Sequence, residues 1–165
     1  MKNMKRVVYP GTFDPISYGH IDLVRRALGL FDEVVIAIST GDGKKTLFSQ
    51  QERLQITKEV FAKYPQVDVV AFDGLLVDFF DRIGADAVIR GLRAVSDFEY
   101  EFQMASINYR LNKKVETIFL TPDEKYTCLS STMIREVARI DPAQAAQFVA
   151  PVVLKALEKK AWANK

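Results

Sequence analysis

Hydrophobic and polar positions along this chain follow two rhythms in turn. Short, nearly continuous apolar runs rich in β-branched residues occupy positions 6–9, 33–39, 67–72, 86–90 and 115–121. Between them apolar residues recur at helical spacing, as in Ile21, Val24, Ala27 and Leu28, then Leu54, Ile56, Val60 and Phe61, then Phe98, Phe102, Ala105, Ile107 and Tyr109. A strand that is apolar at successive positions must be covered on both faces, which is the pattern of a parallel sheet joined by right-handed helical crossovers. The chain therefore predicts one α/β domain over residues 1–165, a doubly wound Rossmann-like fold with a five-stranded parallel sheet and a helical C-terminus.

The punctuation agrees with this alternation. Ser49 with Glu52, and Ser96 with Glu99, match the capping-box spacing at helix starts. Gly84 stands where the helix in LLVDFFDRI should stop, and Pro151 suits the first turn of a last helix, VVLKALEKKAW. No internal repeat and no low-complexity linker interrupts the pattern.

Composition narrows the function classes. The 165 residues are 48% hydrophobic, enough for a sizeable core, and 23 basic against 21 acidic residues give a net charge of +2. Such a balance argues against a general nucleic-acid or membrane-surface binder, so any basic chemistry is local. A single cysteine, Cys128, and a single histidine, His20, supply neither an internal disulfide nor the ligands of a structural zinc site. The N-terminal residues lack an apolar signal core, and no run approaches the ~20 apolar residues of a membrane span. A cytoplasmic protein is expected.

In a doubly wound sheet, ligands sit beyond the carboxyl ends of the strands. Four strand ends carry candidate chemistry. After the first strand, YPGTFDPISYGHI combines Gly11 and Gly19, where backbone can approach a ligand, with a helix start whose amides favour an anion. His20 falls in that helix's first turn, where the dipole disfavours an imidazolium and a neutral ring could donate one N–H to a phosphate oxygen. After the second strand, Gly41-Asp42-Gly43-Lys44-Lys45 offers mobile cations without the spacing of a Walker A loop. After the fourth, Arg90-Gly91-Leu92-Arg93 presents two guanidinium forks suited to phosphate, or to salt bridges with the acidic SDFEYE that follows. After the fifth and a polar loop, Ser130, Ser131 and Thr132 can cap the next helix, bind a phosphate, or do both.

Other chemistries lack support. No Gly-x-Gly-x-x-Gly follows the first strand, which disfavours a dinucleotide oxidoreductase. A Cys128–His20 nucleophilic pair has no orienting third group.

Taken together, YPGTFDPISYGHIDLV, IRGLRAVSDFEYE and LSSTMIREV closely resemble the bacterial phosphopantetheine adenylyltransferase family of the nucleotidyltransferase superfamily, over nearly the whole chain. Ser17 stands where the T/H-x-G-H signature has Thr or His, and Leu129 where the third motif has Ile. The resemblance implies transfer of the adenylyl group of ATP to 4′-phosphopantetheine, giving dephospho-coenzyme A and pyrophosphate. For that reaction His20, Lys44 and Arg93 are the expected catalytic residues, stabilising with the Ser130 to Thr132 amides the charge that builds on the phosphates. The resemblance implies an ATP site of Thr12, Phe13, His20, Gly91, Leu92, Arg93, Glu101 and the loop Tyr126, Thr127, Cys128, Leu129, Ser130, Ser131 and Thr132. Thr12, Lys44, Leu76 and Arg90 would bind phosphopantetheine. Magnesium would enter with ATP, held by its phosphates, since no carboxylate cage is evident and Asp14 is assigned no metal role. A homohexamer inhibited by coenzyme A is also implied by the family alone. The alternatives are a sister nucleotidyltransferase using another phosphate acceptor, such as nicotinamide mononucleotide or glycerol 3-phosphate, and a non-catalytic nucleotide sensor.

Overall fold

A computed structural model describes residues 5–41, 43 and 45–160, without the side chains of 95 and 96. Five strands, β1 (Arg6–Gly11), β2 (Glu33–Ser39), β3 (Val67–Phe72), β4 (Ala87–Gly91) and β5 (Thr117–Leu120), form one all-parallel sheet in the order β3-β2-β1-β4-β5. Six α-helices alternate with and follow them: α1 (Tyr18–Leu28), α2 (Gln50–Val60), α3 (Leu76–Ile83), α4 (Val95–Leu111), α5 (Ser131–Ile140) and α6 (Pro151–Lys159). The order reverses direction at β1, which pairs with β2 on one side and β4 on the other. That reversal opens a crevice at the carboxyl ends of β1 and β4.

The apolar runs become strands because both of their faces are covered. Val7, Tyr9, Val34, Ile36, Ile38 and Ile89 point into one core layer with helices α1, α2, α5 and α6. Val8, Val35, Ala37 and Val88 point into the opposite layer with Val77, Phe79 and Phe80 of α3. Alternate residues thus serve alternate faces, as the two-residue period of a strand requires.

The helix boundaries follow local chemistry in most places. Ser49 and Glu52 form the expected capping box on α2, and Pro151 opens α6. Gly84 ends α3 at φ +61°, a left-handed conformation in which a glycine escapes the Cβ penalty. The end of the predicted last helix, residues 161–162, lies outside the described residues.

Two expectations need correction. The helix expected to be capped by Ser96 begins at Val95 instead, with Ala94 at its N-cap and no side-chain cap bond. Asp97 takes over part of the task, its carboxylate accepting from the Arg93 backbone N–H at 3.4 Å. The fifth strand begins at Thr117, two residues later than the apolar run, because the Val115 amide is drawn into a turn with the Asn112 carbonyl.

Helix α4 also departs from the usual one-sided burial. Phe98, Tyr100, Phe102, Ile107, Tyr109 and Leu111 are all more than 40% exposed in the single chain. Phe98, Phe102 and Tyr109 lie on one side of the helix and Tyr100, Ile107 and Leu111 on the other, so large apolar side chains stay open on two sides of α4, a feature common at interaction surfaces.

Candidate active site

Two adjoining cavities lie at the carboxyl ends of the strands. The first, of about 340 Å³, is walled by the β1–α1 loop, the start of α1, the end of β4 and the start of α5. The second, of about 220 Å³, runs between the ends of β1 and β2, the start of α3 and the inner side of α4. Pro10, Gly11, Thr12, Arg90 and Glu101 line both. Thr12 and Arg90 therefore stand where the contents of one cavity would meet those of the other.

The β1–α1 loop sets His20. Ser17 is the N-cap of α1, and the two residues complete a reciprocal box: the His20 amide donates to Ser17 Oγ at 3.4 Å, while the Ser17 amide donates to His20 Nδ1 at 3.0 Å. A backbone N–H can only donate, so Nδ1 is an acceptor and the ring proton resides on Nε2. Burial, then the positive charges of Arg93 and Arg90, push the His20 pKa down to about 3. The ring is thus a neutral Nε2–H donor at physiological pH. Phe13, buried at φ +50°, holds its ring edge-on to both Tyr9 and His20, at centroid distances of 5.1 and 5.0 Å. The Tyr18 amide is already bonded to the Phe148 carbonyl, so the imidazole, more than the helix amides, is what α1 offers a ligand.

The end of β4 supplies two fixed guanidinium groups. Arg90 makes a two-point contact with Glu101, Nε to Oε2 at 2.6 Å and Nη2 to Oε1 at 2.7 Å, and donates through Nη1 to the Pro10 carbonyl. Arg93 donates to Asp97 at 3.3 Å and to the Leu129 carbonyl at 2.7 Å. Both salt bridges to the acidic segment are therefore made, yet both arginines still line the first cavity. A guanidinium held in this way is pre-oriented and loses little freedom on meeting a phosphate. Gly91 lies between them because a Cβ there would sit 2.5 Å from Cδ1 of buried Leu23.

At the start of α5 the hydroxyls are partly committed. Ser130 is the N-cap, accepting from the Met133 amide at 3.1 Å, and Ser131 Oγ donates to the Pro15 carbonyl at 2.8 Å. First-turn amides have no intrahelical acceptor, so this end of α5 keeps its preference for an anion.

The structure brings together Thr12, Phe13, His20, Gly91, Arg93, Glu101, Tyr126, Leu129, Ser130, Ser131 and Thr132 around the first cavity, and Leu76 with Thr12 and Arg90 around the second. Leu92, Thr127 and Cys128 line neither. Lys44 lies outside the described residues, whereas its neighbour Lys45 reaches the first cavity. Sequence reasoning missed Tyr9, Asp97 and Arg135 as wall residues, and Tyr100, Met104 and Asn108 on the second cavity. Arg135 was legible in principle, since it falls one helical turn after Ser131 in a motif already singled out. The α4 residues were not, because their side chains enter the site only through the crossing of α4 over the sheet.

The acids in the first cavity are engaged by arginines: Asp14 with Arg135 at 3.6 Å, Asp97 with Arg93, and Glu101 with Arg90. Asp14 also accepts the Leu47 and Phe48 amides at 2.8 and 2.9 Å. Among the described residues, no three of His, Cys, Asp and Glu cluster closely enough to hold a metal ion.

Known proteins resemble this chain at two levels. The family model described as cytidylyltransferase-like matches residues 8–137. The phosphopantetheine adenylyltransferase of Francisella philomiragia subsp. philomiragia is 54% identical over 156 residues, covering 94% of this chain and 96% of that protein. The enzyme of the same name from Francisella tularensis subsp. mediasiatica is 53% identical over the same coverage. Among solved structures, the nicotinic acid mononucleotide adenylyltransferase of Plasmodium falciparum, complexed with NaAD, matches with a TM-score of 0.69 at 14% identity, over 94% of this chain and 95% of that one. A lipopolysaccharide core biosynthesis protein from Thermoplasma volcanium matches with a TM-score of 0.56 at 22% identity, over 73% and 99%. The structural likenesses concern the fold; the sequence likeness extends over 94% of the chain.

Proposed function

The chain belongs to the phosphopantetheine adenylyltransferase family, and from that premise we propose that its paired cavities transfer the adenylyl group of ATP to 4′-phosphopantetheine. The observation that carries this reading is the near-full-length identity to enzymes of that name, joined to a site of two cavities that meet at Thr12 and Arg90. A phosphate oxygen of phosphopantetheine forms a bond to the α-phosphorus of ATP as the bridge to the β-phosphate breaks. The products are dephospho-coenzyme A and pyrophosphate.

The attacking oxygen is already ionised, so the chemistry needs alignment and charge stabilisation more than a general base. ATP occupies the first cavity and phosphopantetheine the second, where Leu76, Phe72 and Met104 suit an apolar arm and Asn108 its amides. The His20 Nε2–H, Arg93 and the first turn of α5 meet the charge that builds on the phosphates, together with Lys44. Arg90 orients the phosphate of phosphopantetheine at the junction. Magnesium enters as part of the ATP substrate, bound by its phosphates; the Asp14 carboxylate is committed to the Leu47 and Phe48 amides.

The lone cysteine supports placement in the cytoplasm, and the exposed apolar side chains of α4 support assembly into a homohexamer. Coenzyme A, which contains the product's phosphopantetheine arm, would compete for the second cavity as a feedback inhibitor. The test is pyrophosphate release by the purified protein with ATP and magnesium. Release with 4′-phosphopantetheine and not with nicotinamide mononucleotide is expected. The reverse preference would identify a sister enzyme, and ATP binding without turnover a nucleotide sensor.

A further inference from the structure

Arg53 bonds to the loops around the site without lining either cavity. It sits in the first turn of α2, only 1% exposed, and among the described residues no carboxylate lies within ion-pair distance of it. Its guanidinium is spent entirely on main-chain oxygens. Nη1 donates to the Thr12 carbonyl at 2.6 Å and to that of Ser39 at 2.8 Å, Nη2 to Thr40 at 3.0 Å, and Nε to Phe48 at 3.2 Å. Burial lowers its pKa, and the charge of Asp14 counters this. A buried charge facing only carbonyls is an expensive way to fill a core, so its geometry calls for a reason.

The four acceptors supply that reason. Ser39 and Thr40 begin the segment that leaves β2, and Phe48 ends it; between them lie Lys44 and Lys45. Thr12 belongs to the other loop, at the junction of the two cavities. At Gly41, φ +84°, the chain passes over the guanidinium, where an added Cβ would lie 3.8 Å from Nη2 and 3.1 Å from Thr46 Cγ2. Asp14 also fastens the same two loops, through the Leu47 and Phe48 amides, and its own carbonyl accepts from Arg135 of α5.

We propose that Arg53 is a positioning residue for adenylyl transfer, which fixes the lysine-bearing segment after β2 against Thr12 so that their groups converge on the reacting phosphates. Its planar fork spans four carbonyls on three stretches of chain, a reach that no other side chain offers. Thr12 and Lys44 are only two of the groups that hold each substrate, with His20, Arg90, Arg93 and the start of α5 untouched by Arg53, so Arg53 governs alignment at the reacting centre more than substrate affinity.

This inference rests on the adenylyl-transfer reading, and the wild-type protein is the control that separates the two. Should wild type fail to release pyrophosphate from ATP with 4′-phosphopantetheine, the functional reading fails. With an active wild type, Arg53→Lys and Arg53→Gln are assayed well below their own Tm. Their kcat should fall about 30- to 100-fold, while dissociation constants for magnesium ATP and for 4′-phosphopantetheine, by calorimetry, stay within about threefold. A folded variant of lower Tm with wild-type kcat would overturn the proposal, as would a loss confined to binding. If neither variant folds, Asp14→Asn decides, because it loosens the same segment from its other fastening and leaves Arg53 in place. A retained kcat there overturns the proposal; a fall in kcat with affinity kept supports it.

Discussion

The backbone N–H of Ser17 donates to Nδ1 of His20 at 3.0 Å, across a single helix start. This bond fixes the tautomer, and the Ser17 hydroxyl, 3.0 Å from the same nitrogen, completes the cap. Residue 17 therefore serves the family's histidine through an N-cap, a role that serine fills as well as threonine. Removing His20 should strike the transition state. His20→Ala is expected to lower kcat about 10²- to 10³-fold with little change in ATP affinity, read from pyrophosphate release beside calorimetric titration. Loss of affinity at unchanged kcat would contradict the role.

Ser17 can be separated from His20 by its effect on stability. Ser17→Ala loses the cap oxygen but keeps the amide that bonds Nδ1, so it should cost about 1 kcal/mol of stability, as measured by urea unfolding, and retain most of the activity. Ser17→Thr should be close to wild type by both measures.

The single histidine makes its protonation directly observable. With a folded pKa of about 3 against an ordinary 6.5, the imidazole resonances should stay in the neutral, Nε2–H form throughout ~pH 5 to 8. The linkage has a definite sign. As pH falls, the unfolded chain takes up the proton first, so the contribution of neutral His20 to stability is intact above about pH 6.5 and is lost progressively toward pH 3. His20→Gln should therefore lose less stability than wild type on acidification from ~pH 7 to ~pH 4. A ring that titrates near its ordinary value would refute both expectations.

Arg90 and Glu101 act as a unit. Arg90→Ala should raise the phosphopantetheine KM and also leave Glu101 without its two-point partner. Glu101→Gln should raise the same KM by loosening the guanidinium, with the two effects less than additive in the double variant. Strict additivity in a double-mutant cycle would show that the pair does not act on the substrate together.

The exposed apolar side chains of α4 are consistent with the proposed assembly. Light scattering of the purified protein should give six times the 18.7 kDa chain mass, and Phe102→Glu with Ile107→Glu should reduce it. A monomer at working concentration would contradict the assembly.

The sequence alone settled the elements that are governed by local physics. The buried strands announced themselves because each must be apolar on both faces, and β2 and β3 fall on the predicted residues. The α2 capping box, the Gly84 stop and the Pro151 start were equally legible, since each satisfies backbone groups within one turn. Motif spacing also located three of the strand ends that meet at the first cavity. Only the tertiary structure decided what depends on residues far apart in the chain. The start of α4 was set by Asp97 reaching back to Arg93, which overrode the apparent Ser96 cap. The α4 wall of the second cavity followed from the crossing of that helix. Arg53, reading as one more charge on a polar helix, became a buried fastening only when the loops that hold Thr12 and Phe48 closed around it. A guanidinium's partners here are carbonyl oxygens, and every residue has one, so no sequence pattern could have named them.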